Sequence, residues 1–340
     1  MIREQIRQSD GNTAAAQHYH PYRAQILNAE QFRSLNRLRP SVAVRGTILD
    51  WACIIAGWAL VAWYPSIWTV AVAIPIIGTS YYALSIIGHD GLHRRIFPSI
   101  AANDLWNDLF ILGPIGAITR INRHNHMEHH RATCLPHDPD RHKYLHDGKD
   151  GLFNYAFFLS GLQSIVPSLV NIFVRRGAAS PDVAKNGESH GIRDLAILAG
   201  WQAVLIGGLT ISFGWWGYPL LWLVPVYVFA YRADLVRVFC EHSMLTSDDE
   251  ADHHRRMITY TSSWLERRFC APHNMNFHTA HHLWPSIPFY NLPAADALVR
   301  TWASKNDTEA CLIWRKSYLA YILRYWLWRR AQPAVIGVAA

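Results

Sequence analysis

Paired cysteines and a high density of charge are both missing from this chain of 340 residues. The five cysteines are far apart, odd in number and form no C-x-x-C pair: Cys53, Cys134, Cys240, Cys270 and Cys311. This pattern excludes an iron–sulfur or zinc-ribbon protein and suits a reducing compartment. Only 17% of the residues are charged, and the net charge of +7 comes from Lys and Arg scattered beside apolar segments. Because they form no aromatic-interleaved basic stripe, we do not expect nucleic-acid binding.

A secretory signal is lacking too, because residues 1–46 are polar and hold no apolar stretch. We therefore expect this N-terminal segment to be cytoplasmic. Hydrophobic residues, by contrast, are abundant: they make up 51% of the chain and include 15 Trp, although the mean hydropathy is zero. A strongly apolar half must be offset by a polar half, which favours a membrane protein.

Two apolar regions are each long enough for a pair of membrane spans. Trp51–Ile87 is nearly twice the length of one span of about 20 residues and is interrupted near Tyr64–Ser66, which predicts a helical hairpin. Leu195–Phe213 and Trp215–Tyr231, separated by Gly214, predict a second hairpin. Neither tip contains Lys or Arg, whereas the opposite ends contain Arg45, Arg94, Arg95, Arg193, Arg232 and Arg237. The positive-inside rule then predicts that both tips lie outside and that the other ends and both termini are cytoplasmic.

Three further apolar segments are expected to lie on the membrane without crossing it. Gly151–Phe173 is uncharged and long enough to span. However, histidine groups on either side of it can meet only if an even number of crossings separates them, and the second hairpin already supplies two. We therefore predict an interfacial or re-entrant helix there, and interfacial helices at Leu105–Ile118 and Trp314–Arg330. The expected division is an N-terminal segment 1–46, a membrane-bound domain 47–295 and C-terminal cytoplasmic or interfacial helices 296–340.

The chain has nineteen histidines, and eight of them form three groups with the spacing of metal ligands. They are His89 and His93, then His126, His129 and His130, then His278, His281 and His282. Separations of three and four residues place the imidazoles of each group on one helix face. Imidazole suits iron, copper, nickel and zinc alike, and eight such ligands fit two ions better than one. A single pair could be no more than satisfied interfacial side chains, but three groups on the same predicted side of four spans favour a metal site. The H-E-x-x-H motif of zinc hydrolases is absent.

In order and in flanks, these boxes resemble those of the membrane-bound fatty acid desaturase superfamily, the three-histidine-box diiron enzymes. HDGLH, HMEHHRATCLPHDPD and HTAHHLWPSIPFYNLP are similar to the family's H-x(3,4)-H, H-x-x-H-H-x-x-T with D-P-D, and H-x-x-H-H-L-x-P-x-x-P. The resemblance covers roughly residues 45–295, and the form of the first box is similar to the bacterial dihydrorhizobitoxine-desaturase-like group. It implies an all-α membrane protein with four transmembrane helices under a cytoplasmic helical cap that holds a diiron site.

The resemblance also implies a ninth ligand at the cytoplasmic end of the fourth span, where His242 stands. Hydrogen-bonding partners that orient the ligands are expected among Asp90, Glu241, Asn274, Asn276, Asp138 and Asp140. His124 is two residues before His126 and faces away from that box. The histidines that fit no box are expected to be solvated or locally hydrogen-bonded: His137, His142, His146, His253, His254 and His273.

The implied activity is O2-dependent oxidation of an unactivated C–H bond by two Fe2+ ions, with an acyl chain or another elongated apolar molecule as substrate. Desaturation and hydroxylation or ketone formation share the same boxes, so the sequence leaves both open. Electrons must come from an external ferredoxin or cytochrome with its reductase, since the chain has no haem-binding H-P-G-G segment and no G-x-G-x-x-G fingerprint. Two alternative functions belong to other classes of protein. A histidine-rich membrane metal-binding protein or transporter would place its ligands within the spans. A soluble diiron hydrolase would need more carboxylates than these boxes contain.

Overall fold

The computed structural model describes residues 20–134, 137–144, 146, 151–162, 191–243, 257–306 and 313–331. Within these ranges the chain is mainly helical. The helices are α1 (His20–Ile26), α2 (Ala29–Leu35), α3 (Pro40–Trp63), α4 (Ile67–Leu92), α5 (Ile100–Asn107), α6 (Thr119–Ala132), α7 (Arg141–Tyr144), α8 (Leu152–Leu159), α9 (Ile192–Phe213), α10 (Arg232–His242), α11 (Trp264–Cys270), α12 (His278–Leu283), α13 (Leu292–Lys305) and α14 (Tyr318–Ala331).

Four helical stretches are long and apolar enough to cross a membrane: Ala29–Trp63, Ile67–Leu92, Ile192–Phe213 and Pro219–His242. Their number agrees with the four spans predicted from sequence. Two of them extend beyond the apolar runs, because α4 continues to Leu92 and the fourth stretch continues from Tyr231 to His242. These extensions carry histidines past the apolar part of each helix.

The fourth stretch begins with two widened, π-helical segments, Pro219–Leu223 and Pro225–Tyr231, before it becomes the regular helix α10. Proline has no N–H and crowds the preceding turn, so a helix that contains it departs from regular geometry. Both widened segments start at a proline. The helix nevertheless runs on without a break into the part that carries His242.

The turn between α3 and α4 is encoded locally. The Ser66 hydroxyl accepts a hydrogen bond from the Thr69 N–H at 3.2 Å, and the Ser66 N–H donates to the Thr69 hydroxyl at 3.1 Å. This reciprocal capping box satisfies donors at the start of α4 and so defines where that helix begins. It lies at the interruption that the sequence predicted at Tyr64–Ser66.

The close packing of α4 depends on glycines. A Cβ on Gly57 of α3 would lie 2.8 Å from Ile77 of α4, and a Cβ on Gly78 of α4 would overlap Phe229 and the Pro225 carbonyl in the fourth stretch. Most of α4 from Ile77 onward is buried, whereas α9 buries only Asp194, Leu205 and Leu209. Helix α4 is therefore the central element, and α9 is peripheral.

A second hydrophobic core lies beside the third histidine box. Ile26, the last residue of α1, and the adjacent Leu27 pack there with Leu283 and Trp284, next to residues of α13. A short parallel sheet joins β1 (Ile258–Tyr260) to β2 (Ile313–Arg315), with Ile258 opposite Ile313. The described chain is mostly helical, as the sequence predicted, and this small sheet is an addition that was not predicted. Strands of three residues are too short to leave an alternating pattern in the sequence.

The three segments expected at the membrane surface are interrupted or amphipathic where they are described. The chain between Asp108 and Ile115 is one widened turn followed by one tight turn. Helix α8 exposes Phe153, and the remainder of Gly151–Phe173 after residue 162 lies outside the described residues. Helix α14 buries three tyrosines and exposes a stripe of leucines: Leu319, Leu323 and Leu327.

Candidate metal centre

The nine histidines predicted as ligands come from four helices that meet at one place. The end of α4 supplies His89 and His93, and α6 supplies His126, His129 and His130. The last residue of α10 is His242, while α12 supplies His278, His281 and His282. Each pair or triplet shares a helix face, so the local spacing sets the direction of the rings and the packing of the helices brings the faces together.

Two groups of ring nitrogens have the size of a metal-binding site. We call the first group A; it consists of His89, His93, His126, His130 and His281. In the second, His129, His242 and His282 offer nitrogens that likewise lie within 4.8 Å of one another. His278 adjoins this second set, with its Nε2 2.8 Å from the His242 Nε2, and we call the four residues group B.

The contacts among these rings fit metal coordination better than hydrogen bonding. Nε2 atoms approach each other at 2.8 Å between His126 and His93, 3.0 Å between His130 and His126, and 3.1 Å between His281 and His130. A neutral imidazole has only one N–H, so it cannot satisfy several nitrogen neighbours by donating to them. Four ring nitrogens are buried without a hydrogen-bond partner among the described residues: His89 Nδ1, His278 Nδ1, His281 Nδ1 and His282 Nε2. The Nε2 lone pairs that approach one another are the donor set that a metal ion requires.

Burial favours the neutral form of most of the nine rings. Burial lowers the pKa of His93 to about 3 and lowers the pKa values of His126, His130, His281 and His282 well below the ordinary value, and neighbouring rings and arginines add to this effect. A neutral imidazole retains a lone pair for a metal, whereas an imidazolium does not. The site is therefore ready to accept cations at physiological pH.

Asp138 orients one of the rings. Its carboxylate accepts a hydrogen bond from His129 Nδ1 at 2.9 Å and another from the Tyr144 hydroxyl at 2.7 Å. Backbone N–H groups of Cys134 and Asp140 also donate to it, at 3.0 and 2.8 Å. Although burial alone would raise the pKa of Asp138, these hydrogen bonds hold it below its ordinary value. The anionic carboxylate places the proton of His129 on Nδ1, which turns Nε2 toward the other group B nitrogens.

Glu241 contacts a second ring of group B. Its Oε2 lies 3.1 Å from His278 Nδ1, although the ring is not aligned for a hydrogen bond. The same oxygen accepts a hydrogen bond from Arg237 at 2.7 Å, and Oε1 accepts one from the Tyr318 hydroxyl at 3.1 Å. Glu241 is fully buried. It therefore links a proposed ligand to a buried network of charges.

Arg237 is the centre of that network. Its guanidinium donates to Glu241, to the Tyr82 hydroxyl at 2.9 Å and to Asp234 at 3.0 Å. Asp234 in turn accepts from Lys143 at 2.9 Å. The network connects α4, α7 and α10 immediately behind the histidines.

The other four residues that were predicted to orient the ligands contact a backbone group or a lysine, not a ligand histidine. Asp90 accepts from the Phe289 N–H at 2.8 Å, Asn276 donates to the Tyr260 carbonyl at 2.7 Å, and Asn274 donates to the Phe289 carbonyl at 3.3 Å. Asp140 pairs with Lys143 at 3.1 Å. The contacts of Asp90, Asn274 and Asn276 hold the segments that precede and follow the third box, whereas the Asp140 pair lies after the second box.

Among the histidines outside the boxes, His124 is exposed, as expected. His142 contacts the Pro139 carbonyl at 3.0 Å, and His146 packs on Tyr155 and Phe158, while His253 and His254 lie outside the described residues. His273 differs from expectation, because it pairs with Asp50 of α3 at 2.8 Å across the chain. Asp50 was not predicted from sequence, although a carboxylate inside an apolar helix is a signal of function or pairing.

A cavity of about 420 Å³ reaches the histidines from between α4 and the fourth helical stretch. Its lining is partly apolar or aromatic and partly polar. The apolar or aromatic part consists of Tyr81, Ile86, Leu112, Ile115, Val226 and Ala230, among others. The polar part includes Asn122, Asn125, Asp140, Lys143 and Asp234. Histidines of both groups line its wall, so a molecule in the cavity would lie against the proposed metal site.

Comparison with known proteins shows the family to which this chain belongs. The fatty acid desaturase family model matches residues 65–309, and the chain belongs to that family. Dihydrorhizobitoxine desaturase of Bradyrhizobium elkanii is 23% identical over 300 residues, which are 82% of this chain and 81% of that protein. The sn-1 acyl-lipid omega-3 desaturase (ferredoxin) of Nostoc sp. (strain 36) is 25% identical over 239 residues, 66% of this chain and 65% of that protein. These similarities confirm the resemblance to the superfamily and to its bacterial dihydrorhizobitoxine-desaturase-like group, and they support an oxidoreductase of the desaturase type.

Proposed function

We propose that this protein is a membrane-bound diiron desaturase that introduces a double bond into an acyl chain or a similar elongated, apolar substrate, using O2 and an external electron donor. The observation that carries the proposal is the meeting of nine histidines in two groups beside a half-apolar cavity. Two Fe2+ ions held by group A and group B would supply the activation of O2 for removal of hydrogen from an unactivated C–H bond.

The chain's own residues bind the substrate and exclude water. The apolar wall formed by Tyr81, Leu112 and Val226 suits a hydrocarbon segment, since burying it there removes apolar surface from water. The polar part of the lining suits the head group of a substrate. An acyl chain in the cavity would lie against the histidines, so the shape of the cavity selects which carbon is oxidised.

The membrane arrangement belongs to the same proposal. The four apolar helices form two hairpins whose tips face outward, and the histidine groups and both termini face the cytoplasm. The arginine asymmetry found in the sequence supports this orientation. The membrane-bound domain is proposed to cover residues 47–295, with residues 1–46 and 296–340 on the cytoplasmic side or at the interface.

Electrons are proposed to come from a ferredoxin, or from a cytochrome with its reductase. The printed name of the Nostoc relative includes ferredoxin, and the net charge of this chain is +7, which favours an acidic partner.

The decisive test combines lipid analysis with metal analysis. Cells that express the wild-type protein should accumulate an unsaturated lipid-like product, and the purified protein should contain about two irons per chain. His129→Ala should abolish the product, because the ring that Asp138 orients is lost. His124→Ala is the matched control: it removes an exposed ring from the same helix and should leave both product and iron unchanged.

Several outcomes would contradict the proposal. One zinc per chain without iron, or stoichiometric copper, would exclude a diiron enzyme. An alcohol or ketone in place of an alkene would assign the chain to the hydroxylating or ketone-forming branch instead. Full activity and iron content in His242→Ala would remove His242 from the ligand set.

A further inference from the structure

The two histidine groups differ in what their outer ring nitrogens contact. In group B, His129 Nδ1 donates to the carboxylate of Asp138 at 2.9 Å, and His278 Nδ1 lies 3.1 Å from Glu241 Oε2. Both carboxylates are buried. Half of the group B rings therefore have a buried carboxyl group beside the outer nitrogen.

Group A has no such support in the part of the chain that the structure describes. Among the described residues, no carboxylate lies within hydrogen-bond distance of any of its five rings; the Nδ1 atoms of His89 and His281 are buried without a hydrogen-bond partner, as is that of His278 in group B. The ion pair beside it, between Arg123 and Asp104, is neutral overall, and the Arg123 guanidinium donates to the Leu92 carbonyl at 2.7 Å. The fifth ring of group A adds a neutral donor but no negative charge.

The groups also differ in exposure. All four rings of group B belong to buried residues, with His242 fully buried and His282 8% exposed. In group A only His281 is buried, and His89, His93, His126 and His130 are partly exposed. Four of the five group A residues are therefore more exposed than any residue of group B.

We propose that the two metal positions are unequal: group B binds its ion first and holds it tightly, whereas group A holds the exchangeable ion. This inference rests on the proposed diiron function. A carboxylate on the outer nitrogen fixes the tautomer and makes the ligating nitrogen more basic, and loss of one such partner typically lowers metal affinity about 10–100-fold. Asp138 provides this effect through its hydrogen bond to His129, and Glu241 places a second carboxyl group 3.1 Å from His278, so the support is on one side only.

Iron release to a chelator tests the inequality without any measurement of turnover. Iron-loaded full-length protein in detergent is mixed with a colorimetric ferrous chelator, and the release of each iron is followed in time. We expect two phases of about one iron per chain each, with rates that differ by on the order of 100-fold or more. His93→Ala should lose the fast phase and keep the slow one, and His282→Ala should do the reverse.

Asp138→Asn tests the cause. It should accelerate the slow phase about 10–100-fold and leave the fast phase unchanged. Glu128→Gln is the matched control, because Glu128 is an acidic residue on α6 whose carboxylate, among the described residues, pairs with Arg131 at the surface and with no histidine ring. It should change neither phase. If Asp138→Asn does not fold, as judged by gel filtration and thermal melting, Glu241→Gln must accelerate the same slow phase.

The outcomes separate this inference from the proposed function. Release of two irons in a single phase from the wild-type protein would overturn the inequality and leave the diiron proposal intact. Fewer than two irons in fully loaded wild-type protein would overturn the diiron proposal itself. Acceleration of only the fast phase in Asp138→Asn would contradict the assignment of the tight site to group B.

Discussion

Arg237 allows a quantitative test of the buried charge network behind the histidines. Arg237 is only 5% exposed. Its guanidinium contacts Glu241 at 2.7 Å, Asp234 at 3.0 Å and the Tyr82 hydroxyl at 2.9 Å. Arg237→Met keeps much of the side-chain volume but removes the positive charge. Asp234 retains Lys143 as a partner, whereas Glu241 is left buried with only the Tyr318 hydroxyl and the His278 ring beside it.

The expected cost follows from that isolation. Removing one partner of a buried ion pair typically destabilises a protein by about 3–5 kcal/mol, because the remaining charge is uncompensated. Neutralising Glu241 as well should recover part of this loss, since a buried pair replaced on both sides leaves no such charge. The double variant Arg237→Met/Glu241→Gln should therefore be more stable than Arg237→Met alone, with a coupling of about 1–3 kcal/mol.

Thermal unfolding in detergent, with the iron content measured in the same samples, checks this ordering. Glu241→Gln alone should be milder than Arg237→Met, because Arg237 keeps Asp234 and Tyr82. If Arg237→Met melts with the wild-type protein, or if the double variant loses the sum of the two single effects, the network does not stabilise the fold through charge pairing.

Gly78, Asp140 and the proposed membrane topology each allow a further test. Gly78→Ala should lower stability by about 1–3 kcal/mol in detergent melting, because the added Cβ overlaps Phe229, whereas Gly207→Ala, where the surrounding space is open, should not. Burial alone would raise the pKa of Asp140, but the charge of Lys143 lowers this pKa from 3.8 to about 2. The Asp140 carboxylate therefore stabilises the fold above pH 3.8, and this stabilisation is lost as the pH falls toward 2. The melting difference between wild-type protein and Asp140→Asn should accordingly shrink across that interval, and a constant difference would contradict it. An impermeant thiol reagent applied to cells, in a background without native surface cysteines, should label Ser66→Cys but not Gly187→Cys; labelling of the second would overturn the proposed topology.

The histidine boxes and the number of apolar helices could be predicted from sequence because both depend on local geometry. His126, His129 and His130 share a face in any helix, whatever surrounds it. An apolar run of sufficient length predicts a span for a similarly general reason. His242 has no box of its own, and it was identified through the resemblance to a family and its place at the end of the fourth helix.

Tertiary structure decided how those local features combine. Arg237 meets Tyr82 across 155 residues of sequence, and His273 meets Asp50 across 223. No spacing rule relates such pairs, because the packing of helices determines them. The same holds for the division of nine rings into two groups, and for the placement of carboxylates behind only one of them. Sequence determined which side chains could bind metal, since ligand chemistry and helical periodicity belong to single segments. Only the folded chain decided which rings share an ion, because that depends on where four helix ends meet.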